Sequence, residues 1–128
     1  MQYPLSAHMD VKSKTGKKQS EITLDAVRRG DITPEDIKIS KKTLLLQGEA
    51  ANKSGRPHLG HNFERGAELV DIPDELLLTM YGKLRPYRAT KAELLEMADT
   101  LLTKYNAPKC AKLVKDAATV YEKRGILK

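Results

Sequence analysis

The stretch Thr90-Lys91-Ala92-Glu93-Leu94-Leu95-Glu96-Met97-Ala98-Asp99-Thr100-Leu101-Leu102 decides the fold class. Thr90 and Glu93 have the spacing of a capping box, in which hydroxyl and carboxylate each satisfy an orphan backbone N–H of the other residue. Leu94, Leu95, Ala98, Leu101, Leu102 and then Tyr105 follow at the spacing of one helix face. Beyond this helix, Asn106 and Pro108 start another, whose apolar face is read as Cys110, Val114, Ala117 and Tyr121, with Gly125 as its stop. Before it, Leu76, Leu77, Met80, Tyr81 and Leu84 form an apolar stripe that ends where Arg85 precedes Pro86, because a residue before proline is biased away from the helical region.

The same punctuation organises the first half. Thr23, Thr33 and Ser40 are hydroxyl N-caps, and the isoleucines before them suggest hydrophobic staples: Ile22 on Val27, Ile32 on Ile37 and Ile39 on Leu44. They predict two short helices, the first stopped by Gly30, and a longer one from Lys41 to about Lys53. Ser54-Gly55 and Pro57 separate that helix from a segment with Leu59, Phe63, Ala67 and Val70 on one face. No segment alternates apolar and polar residues for long enough to read as a strand. The fold class is therefore all-α: a compact multi-helix domain over residues 21–128, preceded by an irregular, basic N-terminal arm over residues 1–20.

Composition agrees. The chain has 128 residues, 40% hydrophobic and 31% charged, with one Phe, no Trp and one Cys. Such a core is built from Leu, Ile, Val, Ala and Met, side chains suited to helix-on-helix packing. The lone Cys110 excludes an internal disulfide and fits a reducing compartment. No secretory signal is visible, and the longest apolar runs, Leu44–Leu46 and Leu76–Leu78, fall far short of the roughly 20 residues of a membrane span. A cytoplasmic location is expected.

The net charge of +6 invites a nucleic-acid reading, helped by Lys12, Lys14, Lys17 and Lys18 near the N-terminus. Elsewhere lysines and arginines alternate with acids, as on a solvated helix face. A small basic nucleic-acid-binding module is thus the alternative reading, and a regulatory adaptor a third.

Catalytic patterns are missing. There is no Gly-x-Ser-x-Gly elbow, phosphate loop or dinucleotide fingerprint. His58 and His61 are too few for a zinc site, Cys110 lies on an apolar face, and no carboxylate has the apolar setting that would raise its pKa for acid catalysis. Catalytic, cofactor-binding and metal-binding residues are all read as none.

Two groups are candidates for a subunit interface instead. In Leu84-Arg85-Pro86-Tyr87-Arg88, the residue types Arg85, Tyr87 and Arg88 are those that anchor interfaces, and proline stiffening lowers the entropy lost on docking. An ordinary helix end, with arginine near the last carbonyls, reads the same segment equally well. Glu64 and Glu68, four apart with Arg65 and His61 close by, are either a surface charge network or a pair that meets a cation on another chain.

Tyr3-Pro4-Leu5, Asn62-Phe63-Glu64-Arg65-Gly66-Ala67-Glu68-Leu69, Ile72-Pro73-Asp74, Leu84-Arg85-Pro86-Tyr87-Arg88, Thr90-Lys91 with Glu93-Leu94-Leu95, and Ala118-Thr119-Val120-Tyr121-Glu122-Lys123-Arg124 together resemble the small (gamma) subunit of coenzyme B12-dependent propanediol (diol) and glycerol dehydratases. Order and spacing match along nearly the whole chain, and the propanediol branch is the nearer.

The resemblance implies a non-catalytic, mainly helical subunit that packs on and stabilises a large barrel subunit holding substrate and a metal ion. It implies adenosylcobalamin bound between the large and medium partner subunits, not by this chain, and a dimer of heterotrimers, with no nucleic acid and no membrane. The implied reaction converts 1,2-propanediol to propanal and water, or glycerol to 3-hydroxypropanal, by a radical route. Some family members carry an N-terminal extension that directs them into bacterial microcompartments. The start at Tyr3-Pro4-Leu5 leads to the expectation that any such association runs through partner subunits. Gly66 stands where an alanine is common, at a helix-interior cost of about 1 kcal/mol unless a neighbour needs the space.

Overall fold

The computed structural model describes residues 3–128, in which the chain divides into two compact units, up to Ala67 and from Glu68 onward. The described residues are helical and contain no strand, as the sequence predicts.

In the first unit, short 3-10 turns at Leu5–Ala7 and Gln19–Glu21 precede α1 (Leu24–Arg28), α2 (Pro34–Ile37), α3 (Lys41–Lys53) and α4 (Pro57–Leu69), whose last two residues belong to the second unit. The caps follow the sequence reading. Thr23 Oγ1 accepts from Ala26 N–H at 3.1 Å, and Ser40 Oγ accepts from Thr43 N–H at 3.1 Å. At α2 the strongest bond runs the other way: the Asp36 carboxylate accepts from Thr33 N–H at 2.7 Å.

The staples do not hold. Ile22, Val27, Ile37 and Ile39 are all exposed. Helices of five and four residues offer only about one turn each, so α1 buries Ala26 and α2 buries Asp36, and nothing else turns inward.

Residues 12–18, read above as part of an irregular arm, form a turn closed by a bridge between Lys12 and Lys18. The turn is tied to α2: the Thr15 hydroxyl donates to Asp36, and Lys17 Nζ lies 3.1 Å from Asp36 Oδ2 while also donating to the Asp31 carbonyl.

α3 and α4 form a helical hairpin whose close approach depends on glycine. A Cβ on Gly48 would lie 3.2 Å from the Gly60 carbonyl oxygen and 3.3 Å from Phe63 Cβ, and one on Gly60 would collide with the Asn52 amide. Gly60 and Ala67 are the buried residues of α4. Leu59, read as facing inward, is exposed because Gly60 takes the inward position at that end. Gly66 has only Leu44 Cδ1, at 3.9 Å, near the site of a Cβ.

The second unit holds the larger core. It comprises α5 (Asp74–Lys83), α6 (Lys91–Thr103) and α7 (Pro108–Arg124). α6 runs through the capping box seen in the sequence, with Thr90 N–H on Glu93 Oε2 at 2.8 Å and Glu93 N–H on Thr90 Oγ1 at 3.2 Å. Leu94, Met97, Ala98 and Leu101 of α6 meet Cys110, Ala111, Val114 and Ala118 of α7, with Ile72 and Met80 in the same cluster. Alanines at the contact let the two helices pack closely. The inward residue of α7 is Ala118 where the sequence suggested Ala117, and Tyr81 of α5 is exposed, its place in the core filled by Met80 and its neighbours Leu76, Leu77 and Leu84.

α7 ends at Gly125, whose φ of +67° only glycine adopts freely. Gly125 N–H donates to Glu122 O and Ile126 N–H to Tyr121 O, the paired bonds of a Schellman stop.

Candidate subunit interface

The candidate residues Arg85, Tyr87 and Arg88 occupy the loop between α5 and α6, and all three are exposed. The loop is nevertheless held firmly. Tyr87 N–H donates to the Ile126 carbonyl at 2.7 Å, Lys128 N–H donates to the Ala89 carbonyl at 2.9 Å, and the Tyr121 hydroxyl donates to the Leu84 carbonyl at 2.6 Å. The C-terminal tail after the Schellman stop thus clamps the loop by its backbone and leaves its side chains outward.

Tyr87 itself has φ +64°, in the left-handed region. A bulky residue there is an outlier, and such strain persists only where the surroundings enforce it. The ring that this conformation presents is 64% exposed. On α5, Leu78 and Tyr81, one turn apart, are also exposed and lead along the helix toward Arg85.

The other candidates lie on α4. His61 Nδ1 is 3.3 Å from Glu64 Oε2, and the Arg65 guanidinium donates to the Asn62 side-chain oxygen. Glu68 has an intramolecular partner that the sequence did not reveal. Its carboxylate accepts from Lys109 N–H at 3.1 Å and Cys110 N–H at 2.8 Å, capping α7 where the local N-cap, Ala107, has no acceptor of its own. A carboxylate there also meets the positive end of the helix dipole. No local signal could have shown this, because cap and helix are far apart in sequence. The bond from the Tyr121 hydroxyl to Leu84 and the clamping tail were missed for the same reason.

The ionisable groups serve structure. Hydrogen bonds from the Thr15 hydroxyl and Thr33 N–H, with Lys17 beside it, hold the Asp36 carboxyl well below the usual carboxylate range. A hydrogen bond from Lys38 lowers Glu35, and the Thr90 N–H lowers Glu93. Lowered values keep carboxylates ionised, the opposite of what a general acid needs. Among the described residues, no three His, Cys, Asp or Glu side chains gather as a metal site would require.

Lysine charge is extensively matched: Lys12 with Asp10, Lys38 with Glu35, Lys53 with Glu49, Lys91 with Glu122 and Lys112 with Asp116. This is the solvated charge pattern of an ordinary helical surface, and the nucleic-acid alternative has no support. No helix among the described residues is long and apolar enough to cross a membrane.

Comparison with known proteins agrees. The model of the dehydratase small-subunit family matches residues 1–128. The propanediol dehydratase small subunit of Citrobacter freundii is 44% identical over 98% of this chain and 74% of its own length. The propanediol dehydratase small subunit of Salmonella typhimurium matches with the same identity and coverage. A helical domain with a clamped, outward-facing Arg-Tyr-Arg loop and no catalytic constellation among its described residues therefore belongs to the dehydratase small-subunit family.

Proposed function

We propose that this chain is the non-catalytic small subunit of an adenosylcobalamin-dependent propanediol dehydratase, which converts 1,2-propanediol to propanal and water, with the triol glycerol, converted to 3-hydroxypropanal, as a second substrate. It packs on the large barrel subunit and stabilises it, within a dimer of heterotrimers that includes a medium subunit. The observation that carries this reading is the 44% identity to propanediol dehydratase small subunits along 98% of the chain. The loop Arg85–Arg88 supports it as the docking element, with Glu64 and Arg65 of α4 as further contact residues. Glu68 contributes by fixing α7.

Among the described residues, the grooves at residues 11–43 and along α5 and α6 measure about 410 and 160 Å³, small for a corrin ring with its nucleotide loop. This supports placing the cofactor with the partner subunits, and no chemical step is assigned to this chain. The enzyme acts in the cytoplasm.

Co-expression with the large and medium subunits tests the proposal. One complex should form and release propanal from 1,2-propanediol only when adenosylcobalamin is supplied. Equal assembly and activity without this chain would overturn it.

A further inference from the structure

A second surface, in the first unit, is left unexplained by the loop. Between residues 11–14 and 36–43 lies a groove of about 410 Å³, with Ile22, Ile37 and Ile39 among its apolar walls and Lys12, Lys14 and Lys38 at its rim. Ile37 is 71% exposed, and its neighbour Ile39 is exposed as well. The single turn of α2 explains why: it can turn one side chain inward, and that side chain is Asp36, 4% exposed.

Asp36 makes the groove rigid. Thr15, Lys17 and Thr33 bind its carboxylate from two separate stretches of chain, so the walls are joined before anything docks. A preformed apolar surface loses little entropy on binding.

The charge in the groove is one-sided. Among the described residues its one carboxylate is Asp36, already engaged by Thr15, Lys17 and Thr33. Lys12 is matched by Asp10 at 3.4 Å and Lys38 by Glu35 at 2.6 Å, whereas Lys14 has no acid within 4 Å among the described residues and feels only Glu35, already bonded to Lys38, at longer range. A nucleic-acid backbone would satisfy the lysines but would leave the isoleucines in water. An uncharged apolar patch would cover the isoleucines but would strip Lys14 of solvent without giving it a hydrogen-bonded partner.

We propose that this groove receives a segment of the large subunit that carries an aliphatic side chain beside a carboxylate. The aliphatic group sits on Ile37 and Ile39, and the carboxylate pairs with Lys14. This rests on the subunit reading above and adds a second docking surface, on the first unit, to the Arg85–Arg88 loop.

The test uses the full chain, co-expressed with a tagged large subunit and the medium subunit, as wild type, Ile37→Asp and Lys14→Glu. Retention of the small subunit on the tagged complex is measured beside thermal unfolding and sedimentation of the free chain. Both positions are exposed, so both variants should unfold like the wild type. Ile37→Asp should lower retention at least about tenfold, as loss of an interface anchor does. Lys14→Glu should lower it by a smaller factor, and the difference from wild type should fade in high salt. If the wild type is retained and both variants are retained equally well, the groove is not a docking surface. A free chain that forms a dimer broken by Ile37→Asp, with retention unchanged, would assign the groove to self-association and also overturn the proposal. Failure of the wild type itself to be retained would instead refute the subunit reading.

Discussion

Tyr87→Asn separates docking from folding. The wild-type tyrosine is 64% exposed, so roughly a third of a side chain that buries about 200 Å² when fully covered is at stake. At ~25 cal/mol per Å², that is about 2 kcal/mol of lost burial at most. Against it stands the left-handed backbone, φ +64°, which costs a bulky residue roughly 1–2 kcal/mol and asparagine much less. The Tyr87 N–H bond to Ile126 survives the change. The two effects nearly cancel, and the free subunit should stay within about 1 kcal/mol of wild type in urea unfolding. Docking has no such compensation. If Tyr87 anchors the interface, its loss should cost about 2 kcal/mol or more, roughly a thirtyfold rise in Kd for the large-subunit complex. An Asn variant that unfolds more than about 2 kcal/mol more easily, yet binds as tightly as wild type, would refute the reasoning and make Tyr87 a structural residue.

Four further outcomes follow from the packing and the hydrogen bonds. Gly66→Ala should stabilise the free chain by about 1 kcal/mol, because helix propensity improves and the new methyl meets only Leu44 at 3.9 Å. Gly48→Ala, with the Gly60 carbonyl at 3.2 Å, should instead destabilise it by about 1–2 kcal/mol; denaturant midpoints of the two variants compare them directly. Glu68→Ala removes the cap of α7 and should cost about 1–2 kcal/mol, seen as a lower thermal midpoint, with Glu68→Gln recovering part of it. Asp36→Asn tests pH linkage. The folded carboxyl titrates below its unfolded value of about 3.9, so its stabilisation is complete above that value and is lost as pH falls toward the folded pKa. Urea unfolding should show a wild-type advantage that is constant from pH 7 to 5 and shrinks below about pH 4; an advantage independent of pH would contradict the hydrogen-bond account of Asp36.

Local signals were legible in the sequence, and non-local ones were not. Thr23, Ser40 and the Thr90–Glu93 box marked helix starts because a cap is decided within four residues. The bounds Lys41–Lys53 of α3 came out as read. Facing was harder. Periodicity placed Leu59 inward, but Gly60 takes that position because the hairpin brings Gly48 against it, and hydrophobicity carries no record of close approach. Ile37 read as a staple because the pattern does not say that a one-turn helix has room for a single inward residue. In the candidate loop, the residue types of Arg85, Tyr87 and Arg88 drew attention to a segment that the structure leaves exposed. The clamp by Ile126 and Lys128, the left-handed tyrosine and the capping role of Glu68 all depend on chain segments far apart, and no residue among them carries a local signature.

The central claim is that the chain is a working part of a dehydratase without supplying its chemistry. The most direct measurement is propanal formation by large and medium subunits, purified without this chain and then titrated with it in the presence of adenosylcobalamin and 1,2-propanediol. Activity should be low at first, rise to a plateau at one small subunit per large subunit, and be restored equally by His61→Ala and Cys110→Ser variants, which remove an exposed imidazole and the chain's one thiol. Full activity before any small subunit is added, or a variant that binds stoichiometrically yet restores nothing, would contradict it.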